Sequence, residues 1–297
     1  MPNLKDLKGR IESVKSTRKI TSAMKMVAAA KLRRAQEAAE AARPYASKME
    51  GILVSLAASL QGVQSAPRLL VGTGQSNSHL LVGFTADRGL CGGFNSSIVR
   101  SMRNRVSELE SEGKTVKVLF VGRKAHDILK REFGEKVLDV VTGIGKKGAN
   151  FLEGEAVAKK ITQYFDDFEF DVCTIIYNRF KSAMTQIVTE QQLIPFSHSD
   201  NNSEDVLEEG KPSAIHVFEP SEEDILNELL PQNIGVQVFQ AMLESLASEH
   251  GARMAAMDSA TRNAGDMIDR LTLTYNRTRQ AFITKELIEI ISGAEAL

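Results

Sequence analysis

The chain has 297 residues, 42% of them hydrophobic and 25% charged, which is ordinary for a globular protein and leaves room for one or two domains. Its formal net charge of -1 excludes a bulk electrostatic pull toward nucleic acid or an anionic membrane. No uncharged apolar run approaches the roughly 18–20 residues that span a bilayer, so membrane association is expected only through a partner.

The first predicted element is one long helix from Asn3 to about Gln61. Its apolar stripe begins Leu4, Leu7, Ile11, Val14, and Asn3 is a candidate N-cap with Asp6 three residues on. Farther along, the inner face becomes Ala28, Leu32, Ala35, Ala39 and Ala42, a seam of small side chains that lets two helix axes approach closely. Pro44 is expected to kink the helix. Met1–Arg34 carries ten Lys/Arg against two acids, Asp6 and Glu12. Arg18, Lys19, Lys25, Lys31, Arg33 and Arg34 wind around the helix, and no single solvent face would hold them all. Either this is a solvated face of a coiled coil or it is a surface for an acidic partner.

Gly62 to Ser78 reads as a break. After it, short β-rich runs alternate with helical stretches: "HLLVGFTA", "VKVLFVG", "VLDVV" and "DVCTIIYN", with helices at Gly93–Glu112, Lys124–Phe133 and Leu152–Phe165. That alternation predicts a βαβ layered sheet. "AMTQIVTEQQLIPF" is an added strand, Ser197–Pro212 an acidic polar loop, and "SAIHVFEP" a last strand. Gln232 to Ser292 then holds a helical stripe of Met257, Ala260, Ala264, Ile268, Leu271, Tyr275, Thr278 and Phe282. A helix of such length implies a coiled coil, most simply an antiparallel pair of the terminal helices.

"FTADRGLCGGFN" follows a strand and opens a helix, but it has neither G-x-G-x-x-G nor the phosphate loop's closing G-K-[ST]. A tight structural turn is the reading preferred over a nucleotide site. The five histidines are scattered, Cys91 and Cys173 are far apart and read as reduced thiols, and no acid–base pair is visible, so no metal, cofactor or catalytic residue is assigned. Within "LTLTYNRTRQAFITKELIEIISG", from Leu271 to Gly293, Thr272, Thr274, Asn276, Arg277, Thr278, Arg279, Gln280 and Thr284 concentrate hydrogen-bonding groups where a purely structural helix would not.

"RIESVKSTRKITSAMKMVAAAKLRRAQ" (Arg10–Gln36), "DRGLCGGFN", and the stretch from Ala252 to Leu297 together resemble the gamma subunit of F-type ATP synthases, and the resemblance covers essentially the whole chain. It implies an α/β fold class: a long antiparallel coiled coil of the N- and C-terminal helices plus a central Rossmann-like domain, with boundaries at 1–66, 67–227 and 228–297. It implies a non-catalytic central rotor shaft inside a ring of alternating alpha and beta subunits, whose foot meets the epsilon subunit and the membrane c-ring. An inhibitory subunit is a further candidate partner and nucleic acid is not. It also implies contacts with beta-subunit catch and lever segments at Lys19, Met24, Lys25, Arg253, Arg279, Gln280 and Thr284. Thiol regulation of the plant type is not expected, because the inserted cysteine pair is missing. The chain opens directly on its first helix, without a signal or transit peptide, which suggests a bacterial protein peripheral to the cytoplasmic face of the inner membrane, or a processed mitochondrial one. Two other classes stay open on the residues alone. One is a nucleic-acid binder with a basic coiled-coil arm, whose affinity would fall steeply with salt. The other is a nucleotide-dependent enzyme built on the α/β unit.

Overall fold

A computed structural model describes residues 3–59, 67–146, 148–196 and 222–295. The predicted loop at Ser197–Pro212 and the predicted strand "SAIHVFEP" lie outside them. By density of contact the chain divides into two compact units. One combines Met1–Ala29 with Arg253–Leu297, and the other is Ala30–Ala252.

In the second unit, five strands form one sheet: β1 (Ser78–Phe84), β2 (Thr115–Val121), β3 (Val137–Val141), β4 (Val172–Phe180) and β5 (Gln186–Ile194). Their spatial order is β3-β2-β1-β4-β5, with β5 antiparallel on β4 and every other neighbour pair parallel. This is the Rossmann-like α/β architecture expected from the alternation of strands and helices. Side chains alternate across the pleat. Leu80, Val82 and Phe84 join Val157, Ile161, Phe165, Val238 and Met242 in one core. On the opposite face Leu81, Val118 and Phe120 pack with Ile98, Met102, Leu109 and Leu129. The first core is therefore closed by α5 (Phe151–Asp166) and by the C-terminal helix, α6 (Glu222–Glu295). The second is closed by α3 (Phe94–Ser111) and α4 (Arg123–Phe133). At Gly83, where β1 meets α3, a Cβ would lie 2.2 Å from the Met102 sulfur, so a larger residue there would displace that side chain.

The terminal helices are longer than most globular helices. α1 runs from Leu4 to Ser59 and continues through Pro44. Asn3 caps it as expected, its side-chain oxygen accepting from the Lys5 amide at 3.0 Å. α6 starts ten residues before Gln232 and takes Pro231 into its interior. The sequence reading began the helical stripe only after that proline, at Gln232. Leu226 and Leu230, on the turn before it, are buried against Met49 and Leu53 of α1, and this burial offsets a proline cost of about 3 kcal/mol. A short helix in the predicted break, α2 (Arg68–Val71), was not expected. Arg68 stacks over Phe165 and Phe168, 5.2 and 4.3 Å from the ring centroids.

In the first unit, the N-terminal part of α1 and the C-terminal part of α6 run antiparallel. The Thr261 hydroxyl bonds the Thr21 hydroxyl at 2.8 Å, and the Lys25 ammonium lies 2.6 Å from an Asp258 oxygen. Leu7, Ile11, Ala28, Met257 and Ala264 are the buried apolar residues of this pair. Counting back from the Thr21–Thr261 contact, Ile11 falls level with Leu271, Leu7 with Tyr275 and Leu4 with Thr278.

Candidate functional site

That register decides the chemistry of the C-terminal stretch. α1 begins at Leu4, so none of its described residues faces α6 beyond Thr278. Arg279, Gln280 and Thr284 are all exposed, as are all described side chains from Arg279 onward. Phe282, expected in the seam, is 53% exposed for the same reason. Ile283, Leu287, Ile288, Ile290 and Ile291 are exposed with it. Six large apolar side chains within ten residues, on a stretch of helix that no described residue covers, form an exposed patch of the kind found at interaction surfaces. Sequence reasoning missed them as a site. The signal was present: "AFITKELIEII" is apolar on several sides.

The threonines have a local role. Thr272, Thr274, Thr278 and Thr284 donate to the carbonyls of Ile268, Arg270, Thr274 and Gln280, at 2.7, 3.0, 2.9 and 3.0 Å. Each hydroxyl proton is thus used one turn back, which leaves the oxygen lone pairs as acceptors for a partner. Arg279 and Gln280, by contrast, present guanidinium and amide groups to solvent.

The other predicted contacts cluster one belt away. Lys19 is exposed, Met24 and Arg253 are half-buried, and Lys25 is exposed but ion-paired with Asp258. Arg262 bonds the same carboxylate from one turn farther along α6. The Lys25 hydrogen bond, followed by that of Arg262, holds the Asp258 carboxyl below its ordinary value. Lys25 therefore contributes to the register of the helix pair as well as to its positive surface. Arg253 and Arg279 are 26 positions apart on one helix, about 39 Å at 1.5 Å per residue. The structure thus places the seven residues in two separate belts.

The α/β unit tells a different story at the place where related sheets bind nucleotides. The crevice beyond the C-terminal ends of β1 and β2 encloses about 30 Å³, near the volume of one water, and is lined by Thr85, Asp87, Gly122, Ile144, Met242 and Leu246 among others. Gly122 has φ +100°, and a Cβ on it would lie 1.9 Å from the Thr85 carbonyl oxygen. A helix N-terminus attracts an anion through its unpaired amides; here the Asp87 carboxylate accepts from the Arg123 amide at 3.1 Å and from the Gly143 amide at 2.8 Å. Asn95 turns back to accept from the Ala86 amide at 2.9 Å. The "DRGLCGGFN" loop is thereby knitted to its own neighbours, as a structural turn would be. Cys91 and Cys173 are buried thiols, and burial pushes the Cys173 thiol well above its ordinary value. Among the described residues no cluster of His, Cys, Asp and Glu could hold a metal, and no helix is long and apolar enough to cross a membrane.

Comparison with known proteins agrees with the helix pair and the sheet alike. A family profile described as ATP synthase matches residues 3–297. The ATP synthase gamma chain of Paramagnetospirillum magneticum is 60% identical over 297 residues, covering 100% of both chains. That of Rhodospirillum rubrum is 58% identical over 301 residues with the same coverage. A chain of the Tetrahymena thermophila mitochondrial ATP synthase central stalk and c-ring structure is 30% identical, with a TM-score of 0.62 over 81% of this chain and 99% of that one. A chain of the Euglena gracilis mitochondrial ATP synthase, at 22% identity and TM-score 0.67, covers 99% of this chain and 94% of its own, and shows the shared fold. With likeness extending over the full length in sequence and across both helices and sheet in structure, the chain belongs to the ATP synthase gamma chain family.

Proposed function

We propose that this chain is the non-catalytic central shaft of a proton-translocating F-type ATP synthase, turned by the c-ring and read by the alpha and beta subunits around it. The carrying observation is the bare C-terminal end of α6, where exposed apolar side chains from Phe282 to Ile291 follow directly on Arg279 and Gln280. A shaft tip that turns inside a ring needs an apolar surface without directional bonds, and polar groups just below it to catch each subunit in turn. Three catalytic subunits of one sequence differ only through what the shaft presents to each, and a ligand shifts a two-state element only by interacting differently with its two states. The two belts supply that difference. Arg279, Gln280 and the acceptor oxygen of Thr284 form the catch. Lys19, Met24, Lys25 and Arg253 form the belt that meets an acidic lever, where charges guide and time encounters more than they add affinity.

The α/β unit is the foot, facing the epsilon subunit and the c-ring, and the domain limits 1–66, 67–227 and 228–297 separate these roles. The protein is placed on the cytoplasmic face of a bacterial inner membrane, peripheral and held through its partners. The crevice beside Gly122, at about 30 Å³, leaves little room for a nucleotide at that place.

The test is reconstitution. The pure chain should hydrolyse no ATP, and adding it to alpha and beta subunits should raise their hydrolysis. Turnover by the pure chain that survives removal of contaminating subunits would overturn the non-catalytic reading, and no stimulation of alpha and beta would overturn the shaft.

A further inference from the structure

The core formed by Ile234, Val238 and Met242 holds α6 on the sheet. Apolar adhesion is non-directional, so it resists separation far better than rolling or sliding. A second kind of contact lies on another stripe of the same helix, at Gln237, Glu244 and Ser248, spaced seven and four residues. The buried Ser248 hydroxyl donates to the Asn178 carbonyl at 2.8 Å. One Glu244 oxygen accepts from the Phe180 amide at 2.9 Å, at the end of β4. Its other oxygen lies 3.9 Å from the Arg43 guanidinium on α1. The Gln237 side-chain oxygen accepts from the Gln191 side-chain amide on β5 at 2.9 Å. One turn on, Gly251 lets the helix backbone close on this strand end, since a Cβ there would lie 3.0 Å from the Phe180 ring.

We infer that Glu244, with Ser248 and Gln237, is an angular lock that carries rotary load between the sheet and the two long helices. The inference rests on the shaft reading. A hydrogen bond is directional where an apolar contact is not, and the three anchors extend over eleven residues, about 16 Å of helix. Turning α6 by one residue, about 100°, breaks all of them at once. Glu244 is the centre because, of these three, it is the one that ties α6 to both α1 and β4. Arg43 stands immediately before Pro44, where the ladder of α1 lacks one backbone bond, so the tie to Glu244 meets that helix at its weakest turn. These are positioning residues. They touch no nucleotide, and their effect is expected only under load.

The experiment uses the whole complex in membrane vesicles, with Glu244→Gln, Ser248→Ala and the double variant. Both substitutions preserve volume closely, so assembly is retained. ATP hydrolysis is read on the detached catalytic part, where the shaft turns freely. ATP-driven proton uptake is read against an increasing opposing gradient. The expected result is unchanged free hydrolysis with uptake against a high gradient reduced roughly two- to tenfold, the range spanned by the loss of one ordinary hydrogen bond, and more in the double variant. Equal uptake at every gradient would overturn the lock. So would a proportional fall of free hydrolysis and uptake, which marks a merely structural role. If vesicles with the unchanged chain showed no ATP-driven uptake, the shaft reading itself would fail, and the lock with it.

Discussion

The α/β unit and the helical pair handle polar groups in opposite ways. In the sheet unit, Asp87 and Asn95 turn inward and saturate the amides around one loop, and Asp171 does the same for the amides of Asn77 and Ser78. In the helical pair the Thr21–Thr261 and Lys25–Asp258 links join the two helices, and many of the other described polar side chains face out. One region spends these carboxylates and amides on its own backbone, and the other leaves most of its described polar groups exposed.

The sharpest way to test that contrast is in the sheet core. Phe120 is fully buried between the helices α3 and α4 and the sheet. Phe120→Ala should cost about 3–5 kcal/mol, seen as a large fall in the denaturant midpoint of the isolated chain. A smaller cost is expected at the helix seam. Ala28 is 2% exposed, and Ala28→Leu should destabilise by about 1–3 kcal/mol through overpacking, visible as faster amide exchange in the two terminal helices with the sheet unaffected.

At the bare end of α6 the expected stability effect is smaller again. Arg279→Ala, Gln280→Ala and their double change should move the melting of the isolated chain by within about 0.5 kcal/mol. The same changes should lower turnover of the assembled complex, the double most, because a charge-assisted bond to a buried partner contributes about 1.5–3 kcal/mol. Large melting shifts would make these residues structural. Normal turnover in the double variant would remove them from the catch.

The smallest expected effect is a difference in pH response. Burial, with the Lys114 ammonium second, lowers the His79 imidazole from its ordinary value. A folded value below the unfolded one gives a contribution that is full above about pH 6.5 and is lost as pH falls through the folded value. The helical unit contains no histidine. Its lowered Asp258 carboxyl contributes fully above about pH 3.9 and loses that contribution only as pH falls through its own folded value. Mild acid should therefore loosen the sheet unit first, and His79→Asn should abolish that early response in amide exchange corrected for intrinsic rate. Equal early loosening of both units would break the comparison.

What was legible in the sequence follows the same division. All five described strands were readable within about three residues of their ends, because short runs rich in Val, Ile and other β-formers between polar breaks have few other uses. The cap at Asn3 and the exposure of Arg279 and Gln280 also follow from local rules. The early start of α6 did not, because burial of Leu226 and Leu230 overrides a proline that local rules treat as a boundary. Phe282 was misplaced because the stripe of one helix says nothing about where its partner stops. The two belts needed the Thr21–Thr261 contact, which joins positions 240 residues apart, and no local pattern reports such a pairing. The lock at Glu244 was invisible for the same reason: a lone glutamate on a long helix reads as solvated until the end of β4 is brought beside it.

That same separation has a consequence for how the protein is made. A ribosome adding about 5–20 residues per second needs roughly 12–48 s to travel from Thr21 to Thr261. During that time the stripe of Leu7, Ile11 and Ala28 has emerged and its partner has not been synthesised. Every newborn chain thus passes through tens of seconds in which its first helix offers an uncovered apolar seam to chaperones, to neighbouring nascent chains and to proteases. A ribosome stalled anywhere before Arg253 prolongs that interval indefinitely, so the cell's quality-control machinery should meet this protein first through its amino-terminal helix.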